Sequence, residues 1–205
     1  MNNLEYLNQI SQENRPTSAK KSASMSLIIK IAVGGLVAFL FIMCLGMALS
    51  AGKTSPTDLT KQLYVRTANL NTALTTYNKS LKSSQLRAIG TSLNGVLTSA
   101  TASLTGYLAS EGDKEADLNP PEKLLAVETE TIEALDTALN NAKLNGILDR
   151  VYANQIQLQV SLLVTFISQL EQRTKDTELL EIISQYQSNL IVIEQSLKDY
   201  SNPSD

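Results

Sequence analysis

Two sets of residues in this 205-residue chain have types and spacing suited to recognition chemistry. The first is basic: Lys61, Arg66, Lys79, Lys82 and Arg87 lie in a stretch, Leu59 to Ser110, that holds no Asp or Glu. From Glu111 onward the balance reverses, to 17 acidic and 7 basic residues. Two chemistries fit this division. In one, a basic helix pair packs against an acidic trio and charge sets the helix order, although each exposed ion pair adds only about 0–1 kcal/mol. In the other, a basic, hydroxyl-rich face meets an acidic partner protein or an anionic polymer of the cell envelope. The hydroxyls of that face include Thr72, Thr75, Thr76, Thr98 and Thr101, which also read as small residues that let helices approach.

The second set is Asn145, Asp149, Arg150, Tyr152 and Asn154, gathered where a helix is predicted to begin. Asp149 suits the positive end of a helix dipole, and Arg150 can reach Asn154 or a carboxylate on a neighbouring helix. The cluster reads as a bundle-end cap or as a ligand or partner surface.

Catalytic and metal chemistry find less support. The chain has no His and a single Cys, Cys44, which removes the commonest general base and most nitrogen–sulfur metal sites. Glu128, Glu130 and Glu133 cluster, but di-iron bundles need Glu-x-x-His pairs, so these carboxylates are expected to face solvent. Glu111, Asp113, Glu115 and Asp117 lie in an acidic loop without the ligand order of a calcium-binding loop, and read as a solvated linker. No phosphate-binding, nucleophile-elbow or zinc-helix motif occurs. No catalytic residue, metal or cofactor is expected. Nucleic acid is excluded as a partner, since the segment from Lys53 onward is net acidic and no aromatic residues interleave with its cations. Tyr64, Tyr77, Tyr107, Tyr152, Tyr186 and Tyr200 are expected at core edges with their hydroxyls at the surface. The acceptor triplet Asn78-Lys79-Ser80 falls inside a predicted helix, where glycosylation is disfavoured.

The elements that would position these residues divide into a membrane segment and a bundle. Ile31 to Ala51 runs for 21 residues without a charge, enough for a helix to cross the roughly 30 Å hydrocarbon core of a bilayer. Arg15, Lys20, Lys21 and Lys30 precede this run and outnumber Glu5 and Glu13, so the N-terminus is expected in the cytoplasm and the rest of the chain outside it. Ala48-Leu49-Ser50 resembles a signal-peptidase site, but the long leading segment and long apolar run favour an uncleaved anchor. Gly34 and Ala38, and Gly46 and Ser50, have the four-residue spacing that permits helix–helix contact within the membrane, and with it a homo-oligomer. Residues 1–26 are polar and read as a mostly disordered cytoplasmic tail, 27–52 as the transmembrane helix, and 53–57 as a short linker.

Beyond the linker, apolar residues recur at three–four spacing and no sustained two-residue alternation appears. Thr57 or Asp58 is the expected first N-cap, Ser83-Ser84 a break, and Gly112 through Asn119-Pro120-Pro121 a loop. Asn145-Gly146 and Thr174-Lys175-Asp176 mark two further turns. The expected fold is therefore all-α: one N-terminal transmembrane helix, then an antiparallel up-and-down bundle of four to five long helices over 58–200, with a frayed tail at 201–205. The function this implies is non-enzymatic: a single-pass, membrane-anchored scaffold or accessory subunit of the cell envelope. A sensor ectodomain binding a small ligand between its helices is the alternative.

Overall fold

The computed structural model describes residues 54–112 and 118–201, and every regular element among them is an α-helix. There are five: α1 (Pro56–Asn78), α2 (Ser84–Ser110), α3 (Glu122–Leu144), α4 (Leu148–Glu171) and α5 (Thr177–Ser201). The predicted membrane span at 27–52, with Gly34, Ala38, Gly46 and Ser50, lies outside the described residues. Among the described residues no helix is long and apolar enough to cross a membrane.

Local chemistry sets the ends of these helices. Ser55, rather than Thr57 or Asp58, caps α1: its Oγ accepts from the Asp58 backbone N–H at 3.1 Å. Pro56 follows in the first turn, where a missing N–H costs nothing. Ser83 caps α2 in the same way through Leu86, and Asp176 caps α5 through Leu179. Thus Ser83-Ser84 separates two helices, as the sequence break predicts. Gly112 and Gly146 end α2 and α3 with φ of 93° and 71°, in the left-handed region where a side chain is strained.

Interhelical bonds define the direction of each helix. Asn71 donates to Thr98, and Asn94 to Thr75, so α1 and α2 run antiparallel. Ser161 meets Glu194 while Gln187 meets Ser168, so α4 and α5 do the same. Arg66 pairs with Glu128 and Tyr77 with Asp136, so α1 and α3 run parallel. The path is up, down, up, down, up. α1, α2, α5 and α4 pack around a common core, and α3 lies against both α1 and α4.

The core follows the apolar stripes of the sequence. Leu63, Leu70 and Leu74 of α1, Leu93, Leu97 and Leu104 of α2, Ile156 and Leu163 of α4, and Ile183 and Leu190 of α5 are all buried. α3 contributes least, with Leu135, Leu139 and Ala142 as its buried apolar residues. The α1–α2 seam is different in kind. Asn71–Thr98, Asn94–Thr75 and Asn78–Thr91 form a ladder of neutral amide–hydroxyl bonds along it. Hydroxyls that would otherwise be free to meet a partner here join the two helices. Thr72, Thr76, Thr101 and Thr105 bond back to carbonyls of their own helices.

At one level of the bundle a large side chain of α4 reaches the backbone of α2. Tyr152 is fully buried, and its hydroxyl lies against Gly90 of α2. A Cβ on Gly90 would stand 2.8 Å from that hydroxyl and 2.6 Å from Asn78 Oδ1, whereas Gly95 and Gly106 on the same helix have open space around them. Gly90→Ala is therefore expected to lower stability by about 1–3 kcal/mol through overpacking. Gly95→Ala and Gly106→Ala should raise it by up to about 1 kcal/mol each through helix propensity. Urea unfolding of the three variants checks both signs on one helix.

Candidate functional site

The five basic residues do not form one face. Arg66 is 7 % exposed and points inward from α1, where Nε and Nη2 donate to the two Glu128 oxygens, each at 2.8 Å. Gln62 Nε2 donates to the same carboxylate at 2.6 Å, and the guanidinium stacks 5.3 Å from the centre of the Phe166 ring of α4. Glu128 is 2 % exposed. These positions correct two expectations. Arg66 belongs to the interior and cannot serve an outward basic face, and Glu128 leaves the solvent-facing set, whereas Glu130 and Glu133 are exposed. Their physical cause is register: Glu128 lies on the stripe of α3 that faces α1, at the level where Arg66 needs a counter-charge.

Lys61 lies in the second turn of α1, at the opposite end of that helix from Lys79. Lys79, Lys82 and Arg87 flank the α1–α2 turn. Arg87 is turned back on it, donating from Nη1 to the carbonyls of Leu81 at 2.6 Å and Lys82 at 3.3 Å. The second candidate set reaches the same end of the bundle, because α3 finishes and α4 starts there. Asp149 accepts from the backbone N–H groups of Lys82, at 3.0 Å, and Ser83, at 2.7 Å. Its expected role at the α4 dipole is thus joined by a second one, fastening the α1–α2 turn to α4. Asn145 caps α3 and bonds back to Asn141, and Asn154 is exposed. Tyr152 is interior and takes no part in a surface.

Lys82 from the first set and Asp149 and Arg150 from the second line one cleft of about 370 Å³, together with Ser80, Lys143 and Ile147. Lys143 belongs to neither sequence-derived set. Its sequence signal is its place in the last turn of α3, where a cation complements the helix dipole. The side chains of Lys82, Lys143 and Arg150 make no ion pair among the described residues. Asp149 brings one negative charge, with both oxygens already accepting backbone N–H groups. The cleft is therefore cationic and suited to hold an anion by charge-assisted hydrogen bonds.

Two tyrosines, Tyr152 and Tyr186, depart from the core-edge expectation by lying in the interior, whereas Tyr64 and Tyr200 are half-buried. Tyr77 donates to Asp136 Oδ1 at 2.7 Å, the Tyr186 hydroxyl lies 3.1 Å from that of Thr67, and Tyr152 is enclosed. Burial, reinforced by the Asp136 bond and charge, pushes the Tyr77 phenol up to about 12. Burial also pushes the Tyr152 and Tyr186 phenols upward. Tyr107 is raised by burial and then by the carboxylates of Asp176, Glu111 and Glu178, which gather at the end of the bundle away from the cleft.

No family model, no curated protein and no solved structure matches this chain.

The interior groups can be tested by unfolding. Arg66→Met leaves the buried Glu128 carboxylate without its counter-charge and should cost about 3–5 kcal/mol, while the Arg66→Met, Glu128→Leu double variant should recover most of that loss. Chemical unfolding of the double-mutant cycle measures the coupling. The raised phenols hold the neutral form in the folded state. Their contribution is complete below the ordinary tyrosine value near 10 and is lost as pH rises from about 10 towards 12. Tyr77→Phe should make that alkaline loss shallower, as read by unfolding free energies across about pH 9–12 alongside tyrosinate absorbance.

Proposed function

We propose that this chain is a single-pass, membrane-anchored, non-enzymatic interaction protein of the cell envelope, with its N-terminus in the cytoplasm and its helical bundle outside. The observation that carries this reading is the uncharged run from Ile31 to Ala51, which directly precedes a self-contained helical bundle. An apolar run of that length satisfies its backbone as a helix in lipid, and the cations before it resist translocation. Support for an interaction role comes from the bundle end built by the α1–α2 and α3–α4 turns. There, cations with no ion pair among the described residues surround a cleft at the far end of α1 from Pro56, where the chain enters the bundle. Such an end suits a partner, whether another envelope protein or an anionic surface polymer.

Topology is the test. In a Cys44→Ala background, Ser103→Cys should react with a membrane-impermeant maleimide in intact cells, and Ser11→Cys only after lysis. The chain should also stay with the membrane through an alkaline carbonate wash. Labelling of Ser11→Cys alone in intact cells would invert the orientation, and release by carbonate would remove the anchor.

A further inference from the structure

We propose that the cleft lined by Lys82, Lys143 and Arg150 is a docking site for an acidic protein segment that also carries an apolar side chain. This assignment deepens the interaction reading above and rests on it for its setting outside the cytoplasm.

Charge supplies the first argument. Three cations from three different parts of the chain line one cleft, and none is neutralised by an ion pair among the described residues. Asp149 supplies the cleft's negative charge, and both of its oxygens accept backbone N–H groups of the α1–α2 turn. The start of α4 adds to the field. Its N-cap is Ile147, which has no side-chain acceptor to offer, so no side chain caps the first N–H groups of the helix.

The distribution of cations decides between a protein segment and a long anionic polymer. A polymer is held by a track of positive charge. Here the helices α1, α2 and α4 do not continue the cations of the cleft. Thr67 to Asn78 on α1, Ala88 to Ser110 on α2 and Val151 to Leu170 on α4 contain no charged residue. No basic track leads away from the cleft along these helices, so the site fits a short anionic element.

Apolar surface supplies the last argument. Leu144, which lies in the chain between the cleft-lining Lys143 and Gly146, is 77 % exposed, the most exposed large apolar residue of the described chain. Ile147 and Leu148 line the cleft itself. Nothing in the bundle needs a leucine at 144, since its side chain makes no part of the core. An acidic segment with an apolar residue uses both features, with carboxylates on Lys82, Lys143 and Arg150 and the apolar group on Leu144.

The experiment uses the full chain in detergent micelles and three probes read by fluorescence anisotropy or competition: a short fluorescein-labelled peptide alternating glutamate and leucine, a glutamate-only peptide of equal length, and polyphosphate. The glutamate–leucine peptide should bind tightest. The Lys82→Gln, Lys143→Gln, Arg150→Gln variant should weaken it at least about tenfold, and Leu144→Asn about fivefold. Lys123→Gln with Lys175→Gln, at the other end of the bundle, should leave binding unchanged. All these side chains are exposed, and circular dichroism checks that each variant keeps its fold. Unchanged binding in the triple variant would overturn the site. Equal binding of all three probes, with Leu144→Asn silent, would overturn the acidic segment in favour of an anionic polymer. Because binding is scored in micelles without reference to orientation, intact binding alongside failed topology would reject the membrane setting and keep the site.

Discussion

A guanidinium enclosed by a helical bundle needs acceptors at bonding distance, and the placement of α3 against α1 depends on how Arg66 is met. α1 brings Arg66 and Gln62 inward, α3 answers with Glu128, and α4 places the Phe166 ring against the guanidinium. The first half of α3 otherwise packs through half-buried side chains, Leu124, Leu125, Val127 and Ile132. Glu128 and Thr131 are the buried residues there, whereas Leu135, Leu139 and Ala142 all belong to its second half. The ion pair thus selects which stripe of α3 faces α1 and at what height. Such a pair adds little net stability over a well-packed apolar substitute, because desolvation offsets much of the attraction. Its contribution is to penalise every register that would leave one of the two charges alone.

Register then reaches down α3 to the end of the bundle. With Glu128 held beside Arg66, Asp136 comes to Tyr77 two turns later, and Lys143 arrives at the level of the α1–α2 turn. From the opposite direction Asp149 fastens that turn to the start of α4. The cationic cleft is where these two constraints meet. Along the sides, α1, α2 and α4 carry long uncharged stretches, and the α1–α2 seam is joined by neutral amides and hydroxyls. Lys82, Lys143 and Arg150 meet at one end of the bundle, and the carboxylates of Glu111, Asp176 and Glu178 lie near Tyr107 at the other, an end that also carries Lys61, Lys123 and Lys175. The helix pair from the basic half, α1 and α2, packs on the trio from the acidic half, α3 to α5. Among the described residues, Arg66–Glu128 is a buried ion pair that joins the two halves.

Helices and their boundaries were legible because they rest on local chemistry. Three–four apolar spacing, Ser83, Pro120-Pro121, Gly112 and Gly146 each act within a few residues of themselves. Even the first cap was misplaced only by a short step, from Thr57 or Asp58 to Ser55, since three closely spaced residues could each have supplied the oxygen. The candidate site was half legible. Lys82, Asp149 and Arg150 stand out in the sequence as members of two separate sets, but the link between 82 and 149 spans 67 residues of sequence and no local pattern encodes it. Tyr152 reads as a surface residue in the sequence because a tyrosine among polar neighbours resembles a core-edge residue. Gly90, on another helix, makes the space that lets it go inside.

What the sequence by itself determined is the set of elements: all-helical segments, their lengths and stops, an apolar run long enough for a membrane ahead of them, and a lack of histidine that narrows the available chemistry. What only the tertiary structure decided is which charges remain available. Lys82, Arg66 and Arg87 are alike as letters, yet Arg66 is consumed by Glu128, Arg87 by the carbonyls of a turn, and Lys82 is left at a cleft. The physical reason is that burial and pairing belong to helix order and register, which bring together residues tens of positions apart. Charge and spacing along the chain specify the candidates, and packing specifies which of them face out.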